Sequence, residues 1–471
     1  MDDLLKEKFA AIVGSQHALS NADDQSPYLT EWRGRWTGTT PLVLRPGSTQ
    51  EVAKIASLAN GTRTAIVPQG GNTGLVGGQI PDASGLQIVI SLVRMNGVRA
   101  IDPDGMSMIV DAGAVLQTVQ EAAAKKDRLF PLSLAAKGTA TIGGNLSTNA
   151  GGVGALSYGV ARDLCLGLEV VLADGSILDD LNTLKKNNTG YDLRNLFIGA
   201  EGTLGIITGA ALKLYPNPKA RTTAFMAVDN PFQALALLRK VQDHAGAALT
   251  AFELMPRFGI EITAKHQSGI RDPLPTPYPW YVLMEISSLE GSDHADAVVS
   301  EIVEGGMSEA IIQDGTIAAN ETQRAELWRL REGMSESQKP EGGSLKHDIS
   351  VPVGKLPAFM VEAEKLVLGW EAAARICAFG HLGDGNLHYN ISQPVGADKA
   401  DFLARGQELS SRLLALVVAH GGSISAEHGI GQMKISELQH YKSPVAMTLM
   451  HKIKSALDPH GIMNPGKVLA N

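Results

Sequence analysis

The sequence predicts an α+β protein of more than one domain, and three observations lead to this prediction. The chain has 471 residues, which at ~150 residues per domain corresponds to about three units or two large ones. Hydrophobic residues make up 44% of the chain and charged residues 19%, so a large core can be buried and disorder is excluded. Strand patterns alternate with helix patterns as far as about residue 420, which favours sheets with packed helices.

The predicted elements follow from apolar spacing and from turn residues. A helix over 49–60 is expected to end at the pair Asn60-Gly61, because glycine is common just after a helix. The other elements of the first third are strands at 64–67, 86–92 and 107–111, a helix at 115–126 and a hairpin at 165–178. From about residue 220 onwards the pattern predicts a sheet with helices on one face, including helices at 230–245, 293–304 and 324–336 and a strand at 280–286.

Composition and charge exclude several classes of protein. Lys plus Arg is 41 and Asp plus Glu is 49, and no basic run exceeds Lys185-Lys186, so we expect no nucleic-acid partner. The two cysteines, Cys165 and Cys377, cannot form a disulfide framework and fit a reducing compartment. The start lacks a signal-peptide pattern, and the longest uncharged stretch, 138–161, is rich in Gly, Ser, Thr and Asn. We therefore expect a cytoplasmic protein without a transmembrane segment.

Three glycine-rich loops occur within about 140 residues, at 67–78, 138–152 and 198–208. Glycine lets backbone N–H groups approach an anion closely, so the first glycine loop, which follows a strand, could form a nest for a pyrophosphate. This first loop matches neither GxxxxGK[ST] nor a GxGxxG before a helix, so a nucleoside triphosphatase or a Rossmann enzyme is not indicated. One such loop could equally be a turn, but three together predict a cradle for an elongated cofactor.

A second set of residues has the types that bind divalent metals. Residues 378–381 are expected to end a strand and 382–385 to turn, so that His381 lies opposite the returning strand at 386–390. Three polar side chains of that strand alternate with apolar ones and share a face: Asn386, His388 and Asn390. From spacing alone, structural histidines are the safer interpretation of His381 and His388.

Glu427 could complete a His/His/Glu metal set after the glycine pair Gly421-Gly422. Its neighbour His428 would point the opposite way if the stretch were extended. One residue could then bind metal while the other addresses a substrate.

Seven segments together resemble the FAD-linked D-2-hydroxyacid dehydrogenases, a group of vanillyl-alcohol-oxidase-type flavoenzymes that includes D-2-hydroxyglutarate and D-lactate dehydrogenases. The segments are PQGGNTGLVGG, TIGGNLSTNAGG, LGLEVVLADG, NNTGYDLRNLFIGAEGTLGIIT, GHLGDGNLHYN, SAEHGIG and DPHGIMNPGKVL. The match runs from about residue 40 to the C-terminus and is nearest to the 2-hydroxyglutarate branch. Each glycine loop is unspecific, but the combination is highly specific.

The resemblance implies an FAD-binding domain with two subdomains, an α+β substrate (cap) domain and a C-terminal segment that returns to the flavin, with bounds at 1–218, 219–421 and 422–471. It implies that FAD is held by residues of the three loops and the C-terminal segment: Pro68, Gly70, Gly71, Asn72, Thr73, Gly74, Gly78, Thr141, Gly144, Asn145, Ser147, Thr148, Asn149, Gly151, Glu201, Thr203, Gly205, Ile207 and Asn464. Glu201, Thr203, Gly205 and Ile207 are expected on the adenosine and ribityl side. Some relatives attach FAD covalently beside the first loop; Asn72 stands at that position, so the FAD is expected to be noncovalent.

The resemblance also implies roles at the reacting centre. His381, His388 and Glu427 would bind a divalent metal, with zinc as the first candidate, and His428 would act as the base. Arg331, Ser335, Lys346 and Asn390 would bind the substrate, and two cations favour a dicarboxylate such as D-2-hydroxyglutarate over D-lactate. On sequence alone, Arg331 and Lys346 are better read as surface charges paired with Glu332 or Asp348.

Two other classes of function stay open at this point. One is a zinc hydrolase in which the glycine loops are only structural, and the other is a non-catalytic flavin-binding module. The resemblance implies an electron-transferring flavoprotein as one candidate electron acceptor, but the sequence leaves the acceptor open. It also leaves the oligomeric state open, with a homodimer as one option.

Overall fold

The computed structural model describes residues 1–470, and the chain forms two units. The first unit comprises Met1–Gly151, Gly159–Asn217 and the C-terminal part from Glu427. The second unit comprises Gly152–Tyr158 and Pro218–Ala426. Each unit has its own sheets.

The strands of both units are short to medium in length. In chain order they are β1 (Ala18–Leu19), β2 (Val43–Leu44), β3 (Ile66–Gln69), β4 (Ile88–Ser91), β5 (Val98–Asp102), β6 (Ser107–Asp111), β7 (Arg128–Leu129), β8 (Cys165–Val171), β9 (Ile177–Asp180), β10 (Ile206–Lys213), β11 (Tyr215–Pro216), β12 (Ala220–Val228), β13 (Leu249–Pro256), β14 (Trp280–Ser288), β15 (Asp314–Ile317), β16 (Ser344–Ser350), β17 (Arg375–His381) and β18 (Asn386–Ser392).

The helices surround these sheets. In chain order they are α1 (Asp3–Val13), α2 (Ala22–Leu29), α3 (Thr49–Thr62), α4 (Leu116–Ala124), α5 (Ile142–Ser147), α6 (Ala155–Tyr158), α7 (Arg194–Phe197), α8 (Pro231–Ala245), α9 (Arg257–His266), α10 (Ser292–Ser308), α11 (Glu321–Ser337), α12 (Leu356–Trp370), α13 (Lys399–Ala419), α14 (Ile435–Tyr441) and α15 (Pro444–Leu457). Short 3₁₀ turns occupy Ser15–His17, Gly246–Ala248, Lys339–Glu341 and Val353–Lys355.

The first unit contains two main sheets. One has the order β1-β2-β4-β3, with β2 and β3 both parallel to β4, and the apolar residues of β2, β3 and β4 are buried, as expected for strands covered on both faces. The other has the order β5-β6-β10-β8-β9 and is antiparallel. The C-terminal segment returns to the first sheet, where Ile66 donates its N–H to Ile462 O and Asn464 donates to Ile66 O, both at 2.8 Å.

The second unit is a seven-stranded antiparallel sheet with the order β15-β12-β14-β13-β17-β18-β16. One face packs against α8, α10, α12 and α13 through a large apolar cluster. The opposite face packs against α9 and α11 through a smaller cluster that includes Met255, Met334 and Phe379. Alternate residues along a strand face opposite sides, so β12, β13, β14 and β17 contribute to both clusters, whereas β16 and β18 contribute apolar residues only to the larger one.

Most predicted elements are present, and two expectations are corrected. The helix expected to end at Asn60-Gly61 is α3, which continues through Gly61 to Thr62. It is followed by Arg63 in the left-handed conformation (φ 53°), so a residue with a side chain takes the position where glycine is common. Helices of the second unit lie on both faces of the sheet rather than on one, since α9 and α11 cover the face opposite the larger cluster. Strand β6 and the hairpin of β8 and β9 lie where the sequence predicts them.

Candidate active site

The first and second glycine loops of the first unit lie against each other, and glycine is required where they meet. A Cβ atom on Gly71 would overlap the carbonyl oxygen of Thr139, and a Cβ on Gly70 would overlap the hydroxyl of Thr141. Two backbones can approach this closely only where a side chain is absent. The loops therefore form a surface made mainly of backbone, which a phosphate-bearing ligand could approach closely.

The third glycine loop contributes Glu201, whose side chain is buried. A Cβ on Gly78 would lie 2.9 Å from Glu201 Oε2, so the first loop also passes close to this carboxylate. Glu201 accepts hydrogen bonds from the N–H groups of Ile430 at 2.7 Å and Gly431 at 2.9 Å. Burial raises the pKa of Glu201 to about 7, although these two N–H groups oppose the shift. The structure thus uses this carboxylate to hold the chain that directly follows His428.

The C-terminal segment and the second loop each present an amide that fits a bound polar cofactor. Asn464 donates to Gly78 O at 2.9 Å and to Glu201 O at 2.8 Å, so it ties the segment to the first and third loops. Its Oδ1 atom, and Nδ2 of Asn145, are buried without a hydrogen-bond partner within residues 1–470. Since buried polar atoms are nearly always paired, these two atoms and the side-chain-free loops fit a ligand such as FAD.

The other predicted cofactor residues support the loops in several ways. Asn72, at φ 53°, donates its amide to Pro27 O at 3.1 Å and to Thr30 O at 3.0 Å. Thr141 caps α5 by accepting from the N–H of Gly144, and Asn149 accepts from Arg162 N at 3.0 Å. The rest lie in the three loops or in the elements that border them: Pro68, Thr73, Gly74, Ser147, Thr148, Gly151, Thr203, Gly205 and Ile207.

In the second unit, β17 and β18 form the predicted hairpin and bring its two histidines together. His381 ends β17 and His388 lies in β18, with ring centroids 5.8 Å apart. Asp348, directly opposite His388 in β16, has its Oδ1 atom 3.7 Å from His388 Nδ1. Asp348 also accepts a hydrogen bond from the Asn386 amide at 3.0 Å. Two imidazoles at this separation, supported by a buried carboxylate, are suited to a divalent cation.

The predicted substrate residues lie on the same face of this sheet and on α11 above it. Lys346 and Asn390 are directly opposite each other in β16 and β18, so their side chains are neighbours. Arg331 and Ser335 lie one turn apart on α11, and Lys346 Nζ is 3.5 Å from Ser335 O. The structure therefore brings all four residues of the predicted set to one region of the second unit.

Arg331 is not a surface charge, and its partner is neither Glu332 nor Asp348. It is 7% exposed, and its Nε and Nη2 atoms lie 2.8 Å and 2.7 Å from Oε2 of Glu253, a residue of β13 with no exposed surface. The other oxygen of Glu253 accepts from His381 Nδ1 at 2.6 Å. Burial alone would raise the pKa of Glu253, but His381 and Arg331 outweigh it and lower that pKa to about 2.

Glu427 and His428 begin the segment that leaves the second unit. Ala426, the residue before Glu427, donates its N–H to Asp348 O at 3.4 Å, and Ser423 pairs with Ser350 of β16. The residues just before Glu427 are therefore hydrogen-bonded to β16, the strand whose Asp348 is paired with His388. Residues 426–428 are bent rather than extended, so the alternation of a strand, on which the expected opposite directions of Glu427 and His428 depend, does not apply there.

Sequence reasoning missed the carboxylates that support the histidines. Glu253 lies in the strand sequence LTAFELMP, where it is the one charged residue among buried neighbours, and a lone acidic residue in such a strand is a signal that could have been used. Asp348, expected only as a surface partner, is 4% exposed and lies between His347 and Ile349 in the buried part of β16.

Comparison with known proteins shows the family of the chain. Residues 217–468 match the family model "FAD linked oxidases, C-terminal domain", and residues 40–180 match "FAD binding domain". A probable mitochondrial D-2-hydroxyglutarate dehydrogenase of Oryza sativa subsp. indica is 40% identical over 464 residues, which cover 98% of this chain and 81% of the relative. A D-2-hydroxyglutarate dehydrogenase of Xanthomonas citri pv. viticola is 37% identical over 448 residues, covering 94% of this chain and 92% of the relative. The crystal structure of p-cresol methylhydroxylase with bound substrate has a TM-score of 0.76 at 17% identity, covering 99% of this chain and 97% of that one.

The glycine loops and the two-unit fold define a flavin-dependent oxidoreductase of the vanillyl-alcohol-oxidase type. The chain belongs to the FAD-linked oxidase family, within which its curated relatives include D-2-hydroxyglutarate dehydrogenases and a putative D-lactate dehydrogenase of Schizosaccharomyces pombe, 36% identical over 476 residues. A zinc hydrolase with merely structural glycine loops is therefore set aside. In the described part of the chain, no helix has the length and apolar character needed to cross a bilayer.

Proposed function

We propose that the protein oxidises D-2-hydroxyglutarate to 2-oxoglutarate. The observation that carries this proposal is one face of the sheet in the second unit. His381, His388, Lys346 and Asn390 lie on this face, and Arg331 lies on α11, which covers it. A dicarboxylic acid with a hydroxyl at C2 needs such a set, because each carboxylate requires a cation or donor and the hydroxyl requires a group that favours its deprotonation. The names of the relatives supply the choice of acid.

Lys346 and Arg331 bind the two carboxylates in this proposal. Glu253 already uses Nε and Nη2 of Arg331, so Nη1 is the guanidinium nitrogen left for a substrate oxygen. Lys346 contributes a cation on a flexible stem, and Asn390 beside it can donate an amide hydrogen bond. D-lactate, which has a methyl group in place of the second carboxylate arm, would leave one cation without a substrate partner.

The residues proposed to lie at C2 of the substrate favour the deprotonation of its hydroxyl group. His381, His388 and Glu427 hold a divalent cation, with zinc as the first candidate, which when bound supplies a Lewis acid that lowers the pKa of the substrate hydroxyl. His428 accepts the hydroxyl proton on a ring nitrogen while the C2 hydrogen leaves with its electron pair, so that a carbonyl forms at C2. FAD, when bound, supplies the acceptor for that hydride. Imidazole has an ordinary pKa near ~6.5, which suits a base at cellular pH.

FAD is noncovalent in this proposal. Asn72, at the position where covalently linked relatives carry the attachment residue, is an amide without nucleophilic character, and its side chain braces the first loop against Pro27 and Thr30. Acid precipitation of the purified protein should therefore release the yellow flavin into the supernatant. Flavin that stays with the precipitate would contradict this part of the proposal.

The proposed function is tested with the flavin spectrum of the purified protein in the absence of oxygen. D-2-hydroxyglutarate should bleach the flavin absorption rapidly, while L-2-hydroxyglutarate at the same concentration should leave it largely unchanged. Faster bleaching by D-lactate would assign the protein to the D-lactate branch instead. A flavin that no D-2-hydroxy acid bleaches would indicate a non-catalytic flavin-binding module.

The metal is tested by removal. Dialysis against a strong chelator should abolish turnover but leave the flavin bound, because the proposed metal ligands and flavin-binding loops use different residues. Zinc added back should restore activity, and elemental analysis should confirm that the dialysed sample is metal-free. Full activity in a verified metal-free sample would remove the cation from the mechanism.

A further inference from the structure

Glu253 holds two functional side chains with one carboxylate. It lies in β13, between β14 and β17, directly opposite His381 in the strand register, and it has no exposed surface. Oε1 accepts from His381 Nδ1 at 2.6 Å, and Oε2 accepts from Arg331 Nε at 2.8 Å. Each of the two oxygens therefore has a different charged or polar partner.

We propose that Glu253 is a positioning residue that couples the metal site to the substrate site, an inference that rests on the proposed function above. It acts through His381 and Arg331, the side chains that its two oxygens bond. The coupling arises because both partners depend on the same rigid carboxylate, which is fixed in a central strand.

The effect on His381 is a choice of tautomer. A histidine binds a metal through a ring nitrogen that carries a lone pair, and the hydrogen bond made by the other nitrogen decides which one that is. A carboxylate at Nδ1 favours the tautomer with the proton on Nδ1, so Nε2 is the nitrogen that carries the lone pair a cation needs. The same bond fixes the plane of the ring, so the ligand atom is oriented before the cation binds.

The effect on Arg331 is to fix the guanidinium in one plane. Glu253 engages Nε and Nη2, and the ring of Phe379 lies 4.8 Å from the guanidinium carbon. A side chain held on one edge and one face has little rotamer freedom left to lose when a substrate binds. Arg331 is thus prepared to present Nη1 to a carboxylate.

A simpler reading is that Glu253 only neutralises a buried arginine. The sheet offers a matched control for that role in Glu285, on the neighbouring strand β14 and beneath the same helix α11. Glu285 is also buried, at 8% exposure, and its Oε2 atom is 3.3 Å from Arg324 Nε and 2.8 Å from Trp328 Nε1. It contacts neither histidine, so Glu285→Gln removes a buried charge without touching the metal ligands.

The experiment compares zinc affinity and kinetics of the purified flavoprotein with wild type, Glu253→Gln and Glu285→Gln. Zinc is titrated against a chromogenic chelator, so this readout does not depend on turnover. Loss of a partner that orients a metal ligand typically costs about 10- to 100-fold in metal affinity, and we expect this loss for Glu253→Gln. We also expect a higher KM for D-2-hydroxyglutarate together with a lower kcat. Glu285→Gln should change zinc affinity less than twofold, whatever it does to the melting temperature.

A Glu253→Gln variant that does not fold is replaced by the double variant Glu253→Gln/Arg331→Met, which removes both buried charges and retains His381. The same loss of zinc affinity is expected there. Zinc affinity within twofold of wild type in whichever variant folds would overturn the inference. Failure of the proposed function looks different, since wild type itself would then bind no zinc or its flavin would not be bleached by D-2-hydroxyglutarate.

Discussion

The glycine loops of the first unit and the sheet face of the second unit position their functional groups by different means. In the loops, the positions are set by backbone: glycines let chains approach each other, and amides such as Asn464 tie loop carbonyls together. On the sheet face, the positions are set by charged side chains, with Glu253 and Asp348 beside the histidines. A loop that binds many atoms of one large cofactor needs shape, whereas a site that moves a proton and binds carboxylates needs charge. Substitutions in the loops should therefore weaken FAD binding, whereas substitutions on the sheet face should lower kcat or kcat/KM.

The largest expected effect belongs to the proposed base. His428→Ala should lower kcat by about 10²- to 10⁴-fold, the usual cost of removing a general base, while the flavin stays bound. The rate of flavin bleaching by D-2-hydroxyglutarate in an anaerobic stopped-flow experiment measures this directly. His451→Ala, an exposed histidine of α15, serves as the control and should change kcat less than twofold. A His428→Ala variant with kcat within twofold of wild type would mean that another group accepts the proton.

Charge on the sheet face is tested next with Lys346→Met. A charge-assisted hydrogen bond is worth about 1.5–3 kcal/mol, so kcat/KM for D-2-hydroxyglutarate should fall roughly 10- to 100-fold. The value for D-lactate should change far less, because that acid has no second carboxylate. Lys339→Met, which removes an exposed cation paired with Glu336, should leave the ratio of the two acids unchanged. An unchanged ratio in Lys346→Met itself would contradict the dicarboxylate assignment and favour D-lactate.

Shape in the loops is tested with Gly71→Ala. The added Cβ would overlap Thr139 O, and overpacking of this kind typically costs about 1–3 kcal/mol, which we expect to appear as weaker FAD binding. The flavin-to-protein ratio after purification and the Kd of added FAD measure the loss. Gly61→Ala provides the matched control, because a Cβ there meets no atom within 4 Å, and it should leave the flavin content unchanged. Normal FAD affinity in Gly71→Ala would show that the loops can separate without cost.

The same contrast explains what the sequence could predict. Local signals are sufficient for β6, for the hairpin of β8 and β9 and for the hairpin of β17 and β18, since each depends on residues a few positions apart. The partners of Glu253 cannot be predicted in this way, because they are 78 and 128 residues away: His381 becomes a neighbour through the pairing of β13 with β17, and Arg331 through the packing of α11 on the sheet. The two-sided cover of this sheet was missed for a related reason: a helix pattern shows which side of the helix is apolar, but not which face of the sheet it meets.

The smallest expected effect concerns a charged cluster at the edge of the second unit, around Glu341. Hydrogen bonds from His266 and Lys265, together with the Arg375 guanidinium, lower the pKa of Glu341 to about 2. A carboxyl whose pKa is lowered on folding contributes stability above its unfolded pKa, and this contribution is lost as the pH falls towards the folded value. Glu341→Gln should therefore destabilise the protein at pH 7, by no more than about 1 kcal/mol because the cluster is partly open to solvent. The difference from wild type in the urea midpoint should shrink as the pH falls from 5 to 3. Glu336→Gln, in the exposed pair with Lys339, should show no such dependence, and a Glu341→Gln difference that grows towards low pH would contradict the assignment.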